Sequence, residues 1–277
     1  VKTHIASGWK SLKNQFYIVI ILFLYQLIWG YFLYRLVHSA VTPLLMRYPD
    51  PPPNELSQLL FYFEGKMSLS TSGTVHTYIW ILLAMFVLRM LLTPFIHAGI
   101  FYGLHREREG EVGLFFFQGM KRHGKVVFLF HLAEWMLIAI PAYWIIPKLY
   151  KLLLNGTQLQ TLALQVLPYA AAWLLYAYIV HQFVLFMQFG KTGGTGFLAP
   201  LWHCLRRALP LIGISLVLGT AALLLFSLCT GVSLIWAGIL ALILQQGYHF
   251  ISCVMRIWGI SAKYDLWQHH AFKHAEK

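Results

Sequence analysis

Acidic side chains are nearly missing from this sequence. It has nine aspartates and glutamates in 277 residues, and charged residues of either sign make up only 11%. An ordinary soluble domain carries about 25%, so a water-facing globule is excluded. Cysteine is rare as well: Cys204, Cys229 and Cys253 form no CxxC pair, which removes both a disulfide framework and a cysteine zinc site. The GxSxG, HExxH and aspartate-dyad patterns are absent, so familiar lipid-hydrolase and intramembrane chemistries lack their residues. "GKTGG" at 190–194 is not a phosphate loop, because Leu185 stands where the first glycine is required. A helix C-cap and turn account for these glycines. No cofactor and no metal site is implied, and the chain reads as non-enzymatic.

What the sequence has instead is apolar length. Hydrophobic residues make up 59%, and the mean hydropathy is +0.65. A helix crosses a hydrocarbon core about 30 Å thick with roughly 20 apolar residues. Six segments meet that requirement, at about 16–38, 76–104, 126–147, 160–189, 208–230 and 233–260. The expectation is an all-α polytopic membrane protein, one integral domain over 1–277. Residues 1–15 are basic, but the run that follows is too long for a signal h-region and reads as the first span. An external cap is expected at 39–75, where "PDPPP" is stiff and Asn54 is placed to cap a short helix. A cytoplasmic tail is expected at 261–277. Fifteen lysines and arginines fall on the side of the termini and four on the other, with Arg35 and Arg89 inside spans. By the positive-inside rule both termini lie in the cytoplasm, and the membrane is the cell membrane.

The net charge of +12 does not indicate nucleic acid, because the basic residues form short clusters beside apolar spans, where anionic lipid headgroups are nearer partners. One such cluster, "HREREGEVGLFFFQGMKRHGKVV" at 105–127, is echoed 85 residues later by "GFLAPLWHCLRRALP" at 196–210. In this register Phe117 matches Trp202, and Lys121 and Arg122 match Arg206 and Arg207. On a helical wheel Phe116, Phe117 and Met120 share one face, opposite Gln118, Lys121, Arg122 and Lys125. In the second copy Leu201, Trp202, Leu205 and Leu209 oppose His203, Arg206 and Arg207. The expectation is two related helix-turn-helix units, each joined by an amphipathic helix in the membrane interface (112–122 and 197–207). These basic faces would meet lipid headgroups, a protein partner subunit or a second copy of the chain.

The run "PFIHAGIFYGLHREREGEVGLFFFQGMKRHGKVV", with "GKTGGTGFLAPLWHCLRRALPLI" after it, resembles the bacterial six-helix membrane proteins of the DUF975 type, a duplicated multi-pass family of unknown function. The residues that carry the likeness are Pro94, Gly99, Gly110, Phe116, Gly119 and Lys121. The resemblance implies a polytopic bacterial membrane protein and transfers no catalytic residue.

Ionisable groups inside spans are the remaining candidates, because burying them in lipid is costly unless they are partnered or functional. Arg89 and Glu134 lie inside spans two and three, within reach as antiparallel neighbours, and are expected to pair. His131 shares a helix face with Glu134 at i, i+3, and His97 and His181 are also intramembrane. Two ligand types on one helix do not make a metal site. Gln245 and Gln246 fall mid-span and need interhelical partners. Gly99 and Gly103 form a GxxxG pair that permits close helix approach. Two roles follow: an accessory or interaction subunit of a membrane complex, or a transporter component with a polar path around Arg89, Glu134, His131, Gln245 and Gln246.

Overall fold

The computed structural model describes residues 1–47, 73–111, 113–155, 159–194, 196, 198–235 and 239–271. All regular structure among them is helical: α1 (Lys2–Asn14), α2 (Phe16–Arg47), α3 (Gly73–Arg108), α4 (Phe116–Asn155), α5 (Leu159–Thr192), α6 (Leu198–Arg206), α7 (Ala208–Ile235) and α8 (Ile239–Ala271). Five helices are long and apolar enough to cross a membrane, at Phe16–Ala40, His76–Arg108, Phe116–Lys148, Val166–Thr192 and Ala208–Ile235. Most of the expected external cap, including Asn54, lies outside the described residues.

The chain divides into two compact units, Ile20–Thr93 and a larger one made of Val1–Val19 with Pro94–Lys277. In the smaller unit two helical stretches run side by side, with the Tyr78 hydroxyl donating to the Ser39 carbonyl at 3.1 Å. Many of its large side chains, among them Leu24, Ile28, Trp80 and Phe86, are exposed. That is the pattern of helices whose solvent is lipid, where apolar side chains gain nothing by hiding from it.

In the larger unit the buried side chains gather where α3 and α5 end and α7 begins. Phe101, Phe189, Tyr264 and Trp267 form an aromatic knot there, with successive ring centroids 5.1–5.2 Å apart. Glycines set the close approaches. Added carbon at Gly119 would meet the Tyr102 Cβ at 2.5 Å and the Ala98 carbonyl at 2.9 Å, and at Gly99 it would strike the Phe116 ring. Gly103 faces Gln15 and Ile18. Both members of the GxxxG pair therefore sit at close contacts.

Two expectations need correction, and one stretch gains a partner. Residues 1–15 carry α1, an amphipathic helix laid along α8. Gly8 abuts Ala262, Trp9 stacks near Trp258 at 4.8 Å, and Trp258 Nε1 donates to the Ile5 carbonyl at 2.8 Å. The expected tail from 261 is helical to Ala271, and Ser261, Ala262, Tyr264, Leu266 and Trp267 are all buried. Lys263, Asp265 and the histidines lower the hydropathy of this stretch. A helix packed against another needs only one apolar stripe, and Ile257, Ile260, Tyr264 and Trp267 supply it. The first interfacial connector is not a separate helix either, since α4 runs from Phe116 into its span without a break. The second is separate, as α6.

Candidate functional site

Within the larger unit, four helices bring together ionisable side chains that lie far apart in sequence. Glu134 of α4 is buried, and both of its carboxylate oxygens face imidazoles: His181 Nδ1 of α5 at 2.6 Å and His131 Nδ1 at 3.4 Å. Trp135 Nε1 donates to His131 Nε2 at 3.0 Å. An indole N–H only donates, so His131 Nε2 accepts and its proton sits on Nδ1, directed at the carboxylate. His181 likewise directs Nδ1–H at Glu134, which leaves its Nε2 for the other side of the ring. On α3, His97 accepts at Nε2 from Arg256 Nη2 of α8 at 2.8 Å, because guanidinium has no lone pair to offer. The His97 and His131 rings stand edge to face at 6.4 Å.

Beside this cluster lies a cavity of about 460 Å³. α3 lines it with His97 and Phe101, α5 with Tyr178, His181, Gln182 and Leu185, α7 with Ser215 and Leu218, and α8 with Ser252, Arg256, Gly259 and Lys263. No carboxylate is among the lining residues. Lys263 lies beyond the expected span, and burial pulls its ammonium down to about 8. The same cause pushes the neighbouring Cys204 thiol of α6 up to about 11. Both shifts express the cost of holding charge away from water. A second hollow of about 600 Å³ opens beside the α3–α4 turn, next to Gln15, Tyr17 and Glu107. Its two acidic residues are engaged, Glu107 by Asn14 at 2.8 Å and Glu111 by Arg106 at 2.8 Å.

The carboxylate of Glu134 is held by histidines. Arg89 belongs to the Ile20–Thr93 unit, where its side chain is exposed and its carbonyl accepts from Thr93 Oγ1 at 2.7 Å. His131 and Glu134 do share a site. Gln246 is exposed and does not border the cavity, and the side chain of Gln245 lies outside the described residues. Lys121, Arg122, Lys125, Arg206 and Arg207 are all exposed, as expected of faces turned to headgroups or a partner. Among the described residues no group of three or more His, Cys, Asp or Glu is arranged to hold a metal ion.

Arg256 and Lys263 escaped the sequence reading because they were counted only as charges at a membrane face. A helical signal was present. Ser252, Arg256, Gly259 and Lys263 recur at intervals of four, three and four, and Tyr178, His181, Gln182 and Leu185 share one face of α5 at i, i+3, i+4 and i+7. Comparison with protein-family models, with curated proteins and with solved structures gives no match.

Proposed function

We propose that this multi-pass helical membrane protein is a non-enzymatic transport component that holds its solute in the four-helix cavity. The supporting observation is a half-open cavity between α3, α5, α7 and α8, bordered by His97, His181, Arg256 and Lys263. Intramembrane ionisable residues cost several kcal/mol when they serve nothing, so a cluster bordering open volume favours a pathway over a packing device. In this reading the part of α8 up to about residue 260 is the sixth span, both termini are cytoplasmic and the membrane is the bacterial cell membrane. The glycines at Gly99, Gly110 and Gly119 support kinship with the DUF975 type, since close packing and the positive φ of Gly110 give each a physical reason.

Labelling tests the transport role. In a chain with Cys204, Cys229 and Cys253 changed to alanine, single cysteines at Gly219 and Gly259 should react with a membrane-impermeant maleimide in sealed vesicles. The accessible side should change with conditions. Reaction from one side only under every condition would count against transport. A second reading, an accessory subunit meeting a partner or anionic lipid, is favoured by the exposed Phe117 and Trp202 beside exposed arginines and lysines. Its check is a partner that copurifies in gentle detergent and is lost when Phe117 and Trp202 become serine.

A further inference from the structure

The lining of the four-helix cavity is unbalanced in charge and in hydrogen bonding. Lys263 has no carboxylate within salt-bridge reach among the described residues, and none lines the cavity. The nearby carboxylate of Glu134 already receives His131 and His181. Arg256 places a second permanent cation on the same face of α8, two turns from Lys263, with one N–H directed at His97. Three further lining groups, Tyr178 Oη, Gln182 Oε1 and Ser215 Oγ, are sealed from water without a hydrogen-bond partner. Each unsatisfied buried polar group costs about 1–3 kcal/mol. The Tyr178 and Ser215 hydroxyls can donate, and beside a lysine lacking its counter-ion they describe a receptor whose missing piece is negatively charged and accepts hydrogen bonds, while Gln182 Oε1 calls for a donor such as a protonated phosphate oxygen. The remaining wall is apolar, with Phe101, Leu185, Leu218 and Met255.

We propose that the cavity binds an anion with a carboxylate or phosphate head and a short apolar body, the head held between Lys263 and Arg256. This rests on reading the cavity as a ligand site and narrows the ligand's chemistry. A lysine shifted toward neutrality by burial is a sound anion receptor: the arriving charge restores the protonated form, so binding takes up a proton where the free site has lost one. The titratable groups around Lys263 are His97 on α3, Tyr178 and His181 on α5, Cys204 on α6 and Arg256 on α8, while α7 contributes only Ser215. Among them the lysine alone combines a cationic head with an ordinary titration range above neutrality that burial has lowered to about 8. Anion affinity should therefore be constant below that pH and fall about tenfold per unit above it.

The test uses the full chain in phosphatidylcholine nanodiscs, with the unfolding midpoint as readout. The probes are inorganic phosphate, hexanoate, hexylammonium, and discs doped with phosphatidylglycerol. At least one anionic probe should raise the midpoint saturably, and hexylammonium should not. Lys263→Gln should weaken the effect at least tenfold. Lys263→Arg should retain it and remove the decline above pH 8, and Lys125→Gln on the exposed connector should change nothing. Stabilisation by phosphate or hexanoate identifies a free solute, and stabilisation by phosphatidylglycerol alone identifies a lipid headgroup; either supports an anion site. Overturning results are no response to any anion, an equal response to hexylammonium, or wild-type affinity in a folded Lys263→Gln protein. Anion binding with one-sided maleimide labelling would remove transport and leave the anion site. Two-sided labelling without anion binding would do the reverse.

Discussion

The α3–α4 turn and the α5–α7 turn carry matching residues 85 positions apart, yet one passes directly into a span and the other makes a separate helix first. Burial is alike at some of these positions and differs at others, such as buried Gly124 and exposed Leu209. Phe117 and Trp202 are 68% and 65% exposed, Gly119 and Cys204 are both buried, and Lys121, Arg122, Arg206 and Arg207 all face outward. Glycines with positive φ turn the chain in both, Gly110 at 83° in the first and Gly194 and Gly196 at 76° and 84° in the second. The difference lies where the first copy has Lys125 and the second has Pro210. Proline has no N–H to give to the carbonyl four residues back and its ring crowds that carbonyl, so it fits best in the first turn of a helix, although Pro94, Pro141, Pro147 and Pro168 lie within α3, α4 and α5 here. The second copy accordingly ends α6 at Arg206 and restarts at Ala208, two residues before Pro210. Pro210 thus sits in the first turn of α7, while the matching Lys125 lies inside an unbroken α4.

The largest expected effect comes from transferring that proline. Lys125→Pro puts a ring in the interior of α4 and should cost about 3 kcal/mol or more. A drop in thermal midpoint under 2 °C would show that the two connectors do not differ for this reason. Next come the glycines that seat each connector. Gly119→Ala drives a methyl into the α3 backbone, and Gly190→Ala drives one into Pro200 and the Gly196 carbonyl. Neither obstacle is a flexible side-chain end, so each should cost about 1–3 kcal/mol. If only Gly119→Ala destabilises, as judged by denaturation of the purified proteins, the docking devices are not equivalent.

A smaller effect depends on pH and belongs to the second connector alone, because Cys204 of α6 lies near Lys263. Burial lowers the folded-state value of Lys263 to about 8, below its ordinary 10.5. Between those values the unfolded chain binds more protons than the folded one, so stability should rise as pH climbs from about 8 to about 10.5. Thermal midpoints of Lys263→Met measured across that interval should lack this rise. The smallest effect is expected from Phe117→Ala and Trp202→Ala. Neither side chain is buried in the fold, so each should change stability by only about 0.5 kcal/mol while weakening attachment to anionic vesicles.

Hydropathy made the spans legible because a lipid-facing helix declares itself by composition, whatever its neighbours. It could not identify helices defined by a protein partner. α1 reads as a basic lead-in until Gly8 and Trp9 are seen against Ala262 and Trp258, and the 261–271 stretch reads as a tail for the same reason. The candidate site was half legible. His131 and Glu134 meet because i, i+3 spacing is local geometry, whereas the pairing of Glu134 with His181 depended on which helix lies across from it.

The clasp between α1 and α8 also sets an order of events. His4 reaches Asp265 at 2.8 Å, as do Ser7 at 2.7 Å and Arg108 at 2.7 Å, so the first helix finds its partner about 250 residues after it is made. At roughly 5–20 residues per second, that is an interval of about 10–50 s of synthesis. Until then α3 is the partner available to α1, through Ser7 with Arg108 and Asn14 with Glu107. Completion of α8 closes the clasp, so that α1 reaches its final place only after a helix made much later.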